Sequence, residues 1–594
     1  MRASPDRSAS ELPDPPDLQL PVSLPNEGFD RWLHAQIGRA SAGVSPAALL
    51  LAQTDWLAHL ALSPAKQVEL VHKAWRKALR LALYLPQAMR SEAARCIEPL
   101  PQDHRFDDPA WQQWPFNALA QSFLLTQQWW HNATTGVRGV SRHHEDVVSF
   151  VARQLLDLVS PGNFVPSNPA ALQRALASGG GSLMQGAQHW WEDVQRRIAG
   201  RPYAGMDAWR VGENLACTPG RVVMRNALAE LIQYTPTTAK VHPEPVLIVP
   251  AWIMKYYVLD LAPQRSLIEY LVGQGHTVFC VSWKNPGAAE RDFGLDDYLQ
   301  LGLFEALRTV EAIVPRRPVH AAGYCLGGTL LAIGAAALAR DGSERLASVS
   351  LLAAQTDFSE PGEIALFIDD SEVTFLEDLM FDRGYLSADQ MAGAFQLLRS
   401  NDLIWSRAVR DYLMGERAPV SDLMAWNADA TRMPYRMHSQ YLHRLFLRND
   451  LAAARFRVAD RPVALSDIRV PVFALGTELD HVAPWRSVYK LMLLCDADAR
   501  FVLASGGHNT GVVNPPRRGE ASRGHHRVLD RPAGGRYVDP DQFLALAQDH
   551  EGSWWPLWQQ WLAAHSSRPV AVPRTAPRGS ATFGAAPGRY VLET

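Results

Sequence analysis

Cysteine is scarce in this chain: five residues among 594, at positions 96, 217, 280, 325 and 495. An odd number, widely spread and without a C-x-x-C pair, excludes a disulfide framework and a zinc cluster and points to a reducing compartment. Excess positive charge is missing too. Lys plus Arg total 58 against 61 Asp plus Glu, a net charge of −3, so there is no broad basic field for nucleic acid or anionic lipid. Long apolar runs are also lacking. The most apolar stretch, 330–338, is about half the ~18–20 residues that a membrane-spanning helix needs, and reads as a buried helix. The opening MRASPDRSAS leads into Pro-rich text in place of the charged and apolar regions of a signal peptide, so export is not expected. No internal repeat is found.

What remains is a chain with 47% hydrophobic and 20% charged residues, enough for a large globular protein of two domains. Residues 1–25 and 566–594 carry Pro, Gly and charge without periodicity and read as tails. From 26 to 234 apolar residues recur at spacings of three and four, as in Leu70, Ala74, Ala78 and Leu81, which predicts an all-helical N-terminal domain. Trp111, Trp114, Phe116, Phe123, Trp129 and Trp130 crowd one part of it, a pattern of core or interface. At Pro245 the text changes. VLIVP, HTVFCVSW, PVHAAGY and ASVSLLAA are short apolar runs separated by helical stretches, which predicts βαβ units and a parallel sheet over 235–565. The pattern breaks over 358–469 and resumes with VPVFALG and RFVLAS, so the interruption is expected to be a cap over the active edge. The helix around 550–564 would pack back on the sheet.

PVHAAGY runs directly into G-Y-C-L-G-G (323–328) and then TLLAIGAAALA. Strand, tight turn and helix in that order make a nucleophile elbow with Cys in place of Ser, the mark of an α/β-hydrolase fold. Small flanking residues suit a strained turn where strand and helix backbones meet. Cys325 then stands at a helix N-terminus, where thiolate is favoured over thiol. The N–H of Leu326 becomes one oxyanion donor, and a second should come from the loop after VLIVP, near Ile253. Partners in this fold follow in the order nucleophile, acid, His. TELD after VPVFALG supplies Asp480, and GGH after RFVLAS supplies His508. Asp357, after ASVSLLAA, is a rival acid and His481 a rival base; strand order favours Asp480 and His508.

With these residues in view, the chain resembles a polyhydroxyalkanoate synthase, a polyester-forming acyltransferase, from about residue 29 to 562. The matching text includes DHRFDDPAW (103–111), SPGNFVPSNP (160–169), GENLACTPG, PAWIMKYYVLDL (250–261), VSWKNP, the elbow, NDLIW, WNADATRMP, LDHVAPW and SGGHN. The family's Cys, Asp and His fall on Cys325, Asp480 and His508. The layout is similar to the single-subunit class with short-chain substrates. Ser167, Ala251 and Met254 depart from the family pattern, as does an Arg-, Gly- and His-rich insertion over 516–540.

The resemblance implies a (R)-3-hydroxyacyl-CoA donor, such as 3-hydroxybutyryl-CoA, with CoA as product and no bound cofactor or metal. It also implies a homodimer at the surface of cytoplasmic polyester granules, beside granule-associated proteins. Transfer from CoA to Cys325 exchanges thioester for thioester, and attack by a hydroxyl then forms a more stable ester. His508 would take the thiol proton; Asp480 would either orient His508 or assist the hydroxyl directly. A depolymerase or thioesterase of the same fold is the alternative, and a granule coat protein with a relic elbow is a third.

Overall fold

The computed structural model describes residues 26–41, 43–90, 94–398, 400–516 and 524–594. Its centre is a ten-stranded sheet: β1 Gly220–Arg225, β2 Ala229–Tyr234, β3 Val246–Val249, β4 Val278–Trp283, β5 Val319–Tyr324, β6 Leu346–Leu352, β7 Val472–Thr477, β8 Ala499–Ala504, β9 His525–Arg531 and β10 Gln548–Glu551. The spatial order is β1-β2-β4-β3-β5-β6-β7-β8-β9-β10. The six strands from β3 to β8 run parallel, and two antiparallel strands extend each edge. This is an α/β-hydrolase fold.

The apolar runs are continuous because both faces of the parallel part are covered. In β3 every residue is buried, and alternate side chains serve separate cores: Leu247 and Val249 one, Val246 and Ile248 the other. The period of two in a strand makes that division. Helix 555–564 closes the second face, with Trp554 and Trp558 fully buried beside Phe473.

Ahead of the sheet lie α1 Asn26–Ala40, α2 Pro46–Ala61, α3 Pro64–Ala88, α4 Phe116–Thr134, α5 Arg142–Leu158, α6 Pro169–Ala177 and α7 Gly181–Ile198. The aromatic cluster there is a small core: Phe106, Trp111 and Phe123 are buried edge-to-face, whereas Trp114 and Trp130 are exposed. Arg105 of the DHRFDD motif pairs with Asp103 and Asp157 at 2.7 and 2.8 Å in this half-buried corner.

Three segments differ from the sequence reading. Residues 220–234, expected at the end of the helical region, form β1 and β2, because a six-residue strand beside a turn carries too few apolar positions to register as a period. The 516–540 insertion supplies β9, which pairs antiparallel with β8. The segment 566–594, read as a tail, lies along the sheet: Val570–Ala571 pairs with Lys240–Val241, and Phe583, Gly584 and Ala586 exchange backbone hydrogen bonds of 2.8–3.0 Å with Val222 and Gly220. An open edge strand offers a row of N–H and C=O groups that any extended main chain can satisfy, whatever its side chains. The expected N-terminal tail, 1–25, lies outside the described residues.

Residues 358–469 leave the sheet after β6 and return at β7, forming a largely helical cap. The N-terminal helices hold it. Helix α1 packs on the cap helix Asp370–Arg383, where Gly38 adjoins Phe375 and Leu379. His34 Nδ1 lies 2.7 Å from Asp378, and the Ser45 N–H donates to Glu372 at 2.7 Å. Among the described residues, no helix is long and apolar enough to cross a membrane.

Burial pushes the Glu372 carboxyl from an ordinary 4.5 up to about 7, with the neighbouring Asp369 adding to the rise. Below the ordinary value both folded and unfolded chains hold the proton. As pH rises through 4.5 towards about 7 the unfolded chain releases it first, so folding stability falls. Glu372→Gln keeps the acceptor and removes the proton, so this slope should disappear. The Tm difference, variant minus wild type, should become more positive between about pH 5 and pH 8 by thermal melts; an unchanged difference would contradict a buried, proton-linked Glu372.

Candidate functional site

Strand β5 ends at Tyr324, and helix α8, Leu326–Arg340, begins two residues later. Cys325 makes the turn with φ 51° and ψ −127°, a conformation that costs a non-glycine residue energy and persists only when its surroundings hold it. Those surroundings are backbone. A Cβ on Gly327 would stand 2.2 Å from the Val249 carbonyl oxygen, and one on Gly323 2.4 Å from Gly328 Cα. The Cys325 N–H donates to Leu352 O at 2.9 Å, anchoring the turn to β6. The thiol is half-buried at the N-terminus of α8, where the free N–H groups and helix dipole favour negative charge.

Asp480 and His508 stand on the loops after β7 and β8. Thr477 and Ala504 are register partners in that parallel pair, so the two loops start level. Leu479 N–H then donates to Gly506 O at 2.9 Å and ties them together. Gly506, at φ 99°, makes the bend that brings His508 inward. Asp480 Oδ2 lies 2.7 Å from His508 Nδ1, while Oδ1 accepts from the N–H groups of Val482 and Ala483 at 2.9 and 2.8 Å.

Burial alone would raise the Asp480 carboxyl, but His508 and the two N–H groups hold it below the usual range. Burial would likewise lower His508; the Asp480 carboxylate and the Cys325 sulfur, which acts by charge and hydrogen bond, raise it well above the ordinary value. With Nδ1 committed to Asp480, Nε2 is the nitrogen left for the sulfur.

Cys325 and His508 open on a cavity of about 650 Å³. Cap residues Phe367, Leu376, Leu442 and Phe446 line it, and so do Gly43 and Val44 of the N-terminal region. Leu326 opens α8 directly beside Cys325, and Ile253 lines the cavity on the loop after β3. That loop is pinned by the Trp283 indole on Pro250 O at 2.8 Å and the Thr431 hydroxyl on Trp252 O at 2.6 Å.

The rival acid is elsewhere engaged: Asp357 takes the Ser359 N–H and hydroxyl at 2.8 and 2.5 Å and faces Lys490. His481 lines the cavity, and its carbonyl receives the Glu363 N–H at 3.4 Å. Among the described residues no group of three or more His, Cys, Asp or Glu is placed to hold a metal ion.

Four residues escaped the sequence reading. Tyr324 is buried with its ring 5.4 Å from that of His508 and donates to Asn509 at 2.5 Å. Its position next to Cys325, and that of Asn509 next to His508, were available as a signal. His438 and Tyr441 of the cap line the cavity three residues apart on one helix. Nothing local indicates which face of a cap helix turns to a sheet edge.

Residues 25–66 and 102–271 match family models described as the N-terminal parts of poly-beta-hydroxybutyrate polymerase, and residues 244–515 match the alpha/beta hydrolase fold. The chain is 40% identical over 503 residues to the poly(3-hydroxyalkanoate) polymerase of Methylorubrum extorquens, covering 83% of this chain and 81% of that one. It is 36% identical over 515 residues to the poly(3-hydroxyalkanoate) polymerase subunit PhaC of Cupriavidus necator, covering 85% of each. Among solved structures, the monoacylglycerol lipase of Paleococcus ferrophilus overlaps 55% of this chain and 98% of its own at 16% identity, with a TM-score of 0.31.

The five thiols differ in setting. Burial pushes Cys96, Cys217, Cys280 and Cys495 up, and Cys280 and Cys495 are fully enclosed. Cys325 alone faces the cavity beside a histidine at a helix N-terminus, so limiting iodoacetamide at about pH 7.5 should label it first. Peptide mass spectrometry reads the order of labelling; modification of Cys96 or Cys217 ahead of Cys325 would contradict the assignment.

Proposed function

From the premise that this chain belongs to the poly(3-hydroxyalkanoate) polymerase family, we propose that it polymerises (R)-3-hydroxyacyl-CoA through a thioester on Cys325. The observation that carries this reading is the buried Asp480–His508 pair, 2.7 Å apart, acting on a half-buried cysteine in a nucleophile elbow.

In the first step the Cys325 sulfur bonds to the acyl carbon and passes its proton to His508 Nε2. The bond from that carbon to the CoA sulfur breaks, and the departing thiolate takes the proton to leave as CoA. Thioester replaces thioester, so the step is nearly balanced in energy. In the second, the 3-hydroxyl of another unit attacks the Cys325 thioester. An ester bond forms, the carbon–Sγ bond breaks, and His508 moves the hydroxyl proton to the sulfur. Ester formation from a thioester runs downhill, which a serine nucleophile would forfeit. Asp480 holds the His508 ring and stabilises its imidazolium. The N–H groups of Leu326 and Ile253 are assigned to the developing oxyanion. The cap supports the reading, since an acyl-enzyme open to water would hydrolyse.

CoA enters as substrate and leaves as product; no bound cofactor is invoked. The growing polyester is insoluble, which fits an enzyme at a granule surface; that the granules are cytoplasmic, the enzyme a homodimer and its neighbours granule-associated proteins is what the family resemblance implies. An exposed stripe on α3, comprising Val68, Val71, Trp75, Leu79 and Leu83, suits an apolar surface.

Purified protein given (R)-3-hydroxybutyryl-CoA should release CoA and deposit insoluble polymer. Cys325→Ala should abolish both, and Asp480→Asn should lower turnover by about four orders of magnitude. Where Asp480 also assists the incoming 3-hydroxyl, intact mass spectrometry of Asp480→Asn should find 3-hydroxyacyl units on Cys325, removable by hydroxylamine; where it acts only through His508, both steps slow and none should accumulate. Asp357→Asn should keep most activity. Release of one free 3-hydroxyacid per CoA, without polymer, would make the protein a hydrolase instead.

A further inference from the structure

We propose that His438 recognises the 3-hydroxyl of the acyl group carried on Cys325, making the site selective for 3-hydroxyacyl over plain acyl donors; this rests on the function proposed above. His438 belongs to the cap helix Tyr435–Tyr441 and lines the cavity that holds Cys325 and His508. Its side chain is almost entirely enclosed, with the residue 3% exposed, yet Nδ1 has no hydrogen-bond partner. A buried polar atom left unpaired is costly and calls for an explanation. Here the explanation is a partner that arrives with the substrate.

Three other polar side chains that line the cavity are already engaged. Gln355 donates to Ser487 Oγ at 3.1 Å, Asn509 accepts from Tyr324, and Glu372 accepts from the Ser45 N–H. Leu442 and Phe446, one and two turns further along the cap, are apolar. A hydroxyl entering this cavity therefore finds hydrocarbon on most sides, and His438 is placed to satisfy it.

The position suits that atom. His438 and Tyr441 are three residues apart on one helical face, their ring centroids 6.2 Å apart. The charge of Cys325 acts on Tyr441, whereas burial alone governs His438. His438 therefore lies one turn, ~4.5 Å of helix rise, from Tyr441 on the lining of the cavity that also holds Cys325. The 3-hydroxyl lies four bonds from the sulfur, within that same cavity. Burial also holds the ring's proton affinity down, to a value of about 4, so the imidazole is neutral near pH 7. A neutral ring keeps a lone pair that accepts from O–H, which an imidazolium would lack. His438 is a positioning residue: it moves no proton in the reaction but fixes the 3-oxygen and, through it, the thioester carbon against Cys325.

The test compares acylation of the full chain by (R)-3-hydroxybutyryl-CoA and by butyryl-CoA, read as CoA released in the first turnover and as added mass on Cys325. His438→Phe should lower kcat/KM for the hydroxyacyl donor about tenfold while the butyryl value moves less than about twofold, so the selectivity ratio falls by nearly that factor. His438→Gln, whose amide supplies both a donor and an acceptor, should recover most of the ratio. Equal losses with both donors would mark a purely structural residue and overturn the proposal, as would an unmoved ratio. His438→Leu removes the same nitrogens at smaller volume and reads the same ratio if the Phe variant does not fold. A wild type that accepts no acyl group from either donor would overturn the proposed function itself; one that accepts both with an unmoved variant ratio overturns only the role of His438.

Discussion

Everything at the site depends on how closely the elbow backbone approaches the end of β3. Gly327 sits where any side chain would enter the carbonyls of Val249 and Pro250. That contact fixes three things together: the distance of α8 from the sheet, the strained conformation of Cys325, and the origin of the loop that carries Ile253. Interiors are packed too tightly for one of these to shift without the others. The thiol, the helix N-terminus behind it and the loop across from it therefore form one rigid arrangement.

The partners of Cys325 are placed by a different device, the register of two parallel strands. Thr477 faces Ala504, Asp480 follows three residues after the first and His508 four after the second. Both loops are short and mutually bonded, so little freedom remains in the 2.7 Å contact between the side chains. The pair is buried, and neither charge would be tolerated there alone. Their mutual stabilisation explains why Asp480 is held low and His508 high.

This arrangement explains which parts could be read from the sequence. Cys325, Asp480 and His508 were legible because each follows a buried strand whose apolar run is visible, and the fold dictates their order. Residues 220–234 were not, since β1 and β2 are six residues each, too short for their alternation to stand out. The segment 566–594 was illegible for a deeper reason: it is held by main-chain pairing to Gly220 and Val222, and backbone groups leave no mark on residue type. His438 was hidden because its meaning depends on which face of a cap helix turns inward. That is settled by packing within the cap, where the helix Tyr435–Tyr441 lies against Asp370–Arg383, distant from it in the chain.

The buried ammonium of Lys255 joins these parts. It stands two residues beyond Ile253, 6% exposed, and donates to the carbonyls of Val591 and Glu593 at 2.5 and 2.6 Å while facing Asp429 of the cap at 3.2 Å. Two of its three acceptors thus come from residues that the ribosome makes after everything they secure. Until they emerge, the loop beside the thiol carries a charge with too few partners to be buried, and it has no reason to settle. In the order of the chain, the whole parallel sheet and its nucleophile precede the two carbonyls that complete the setting of Lys255.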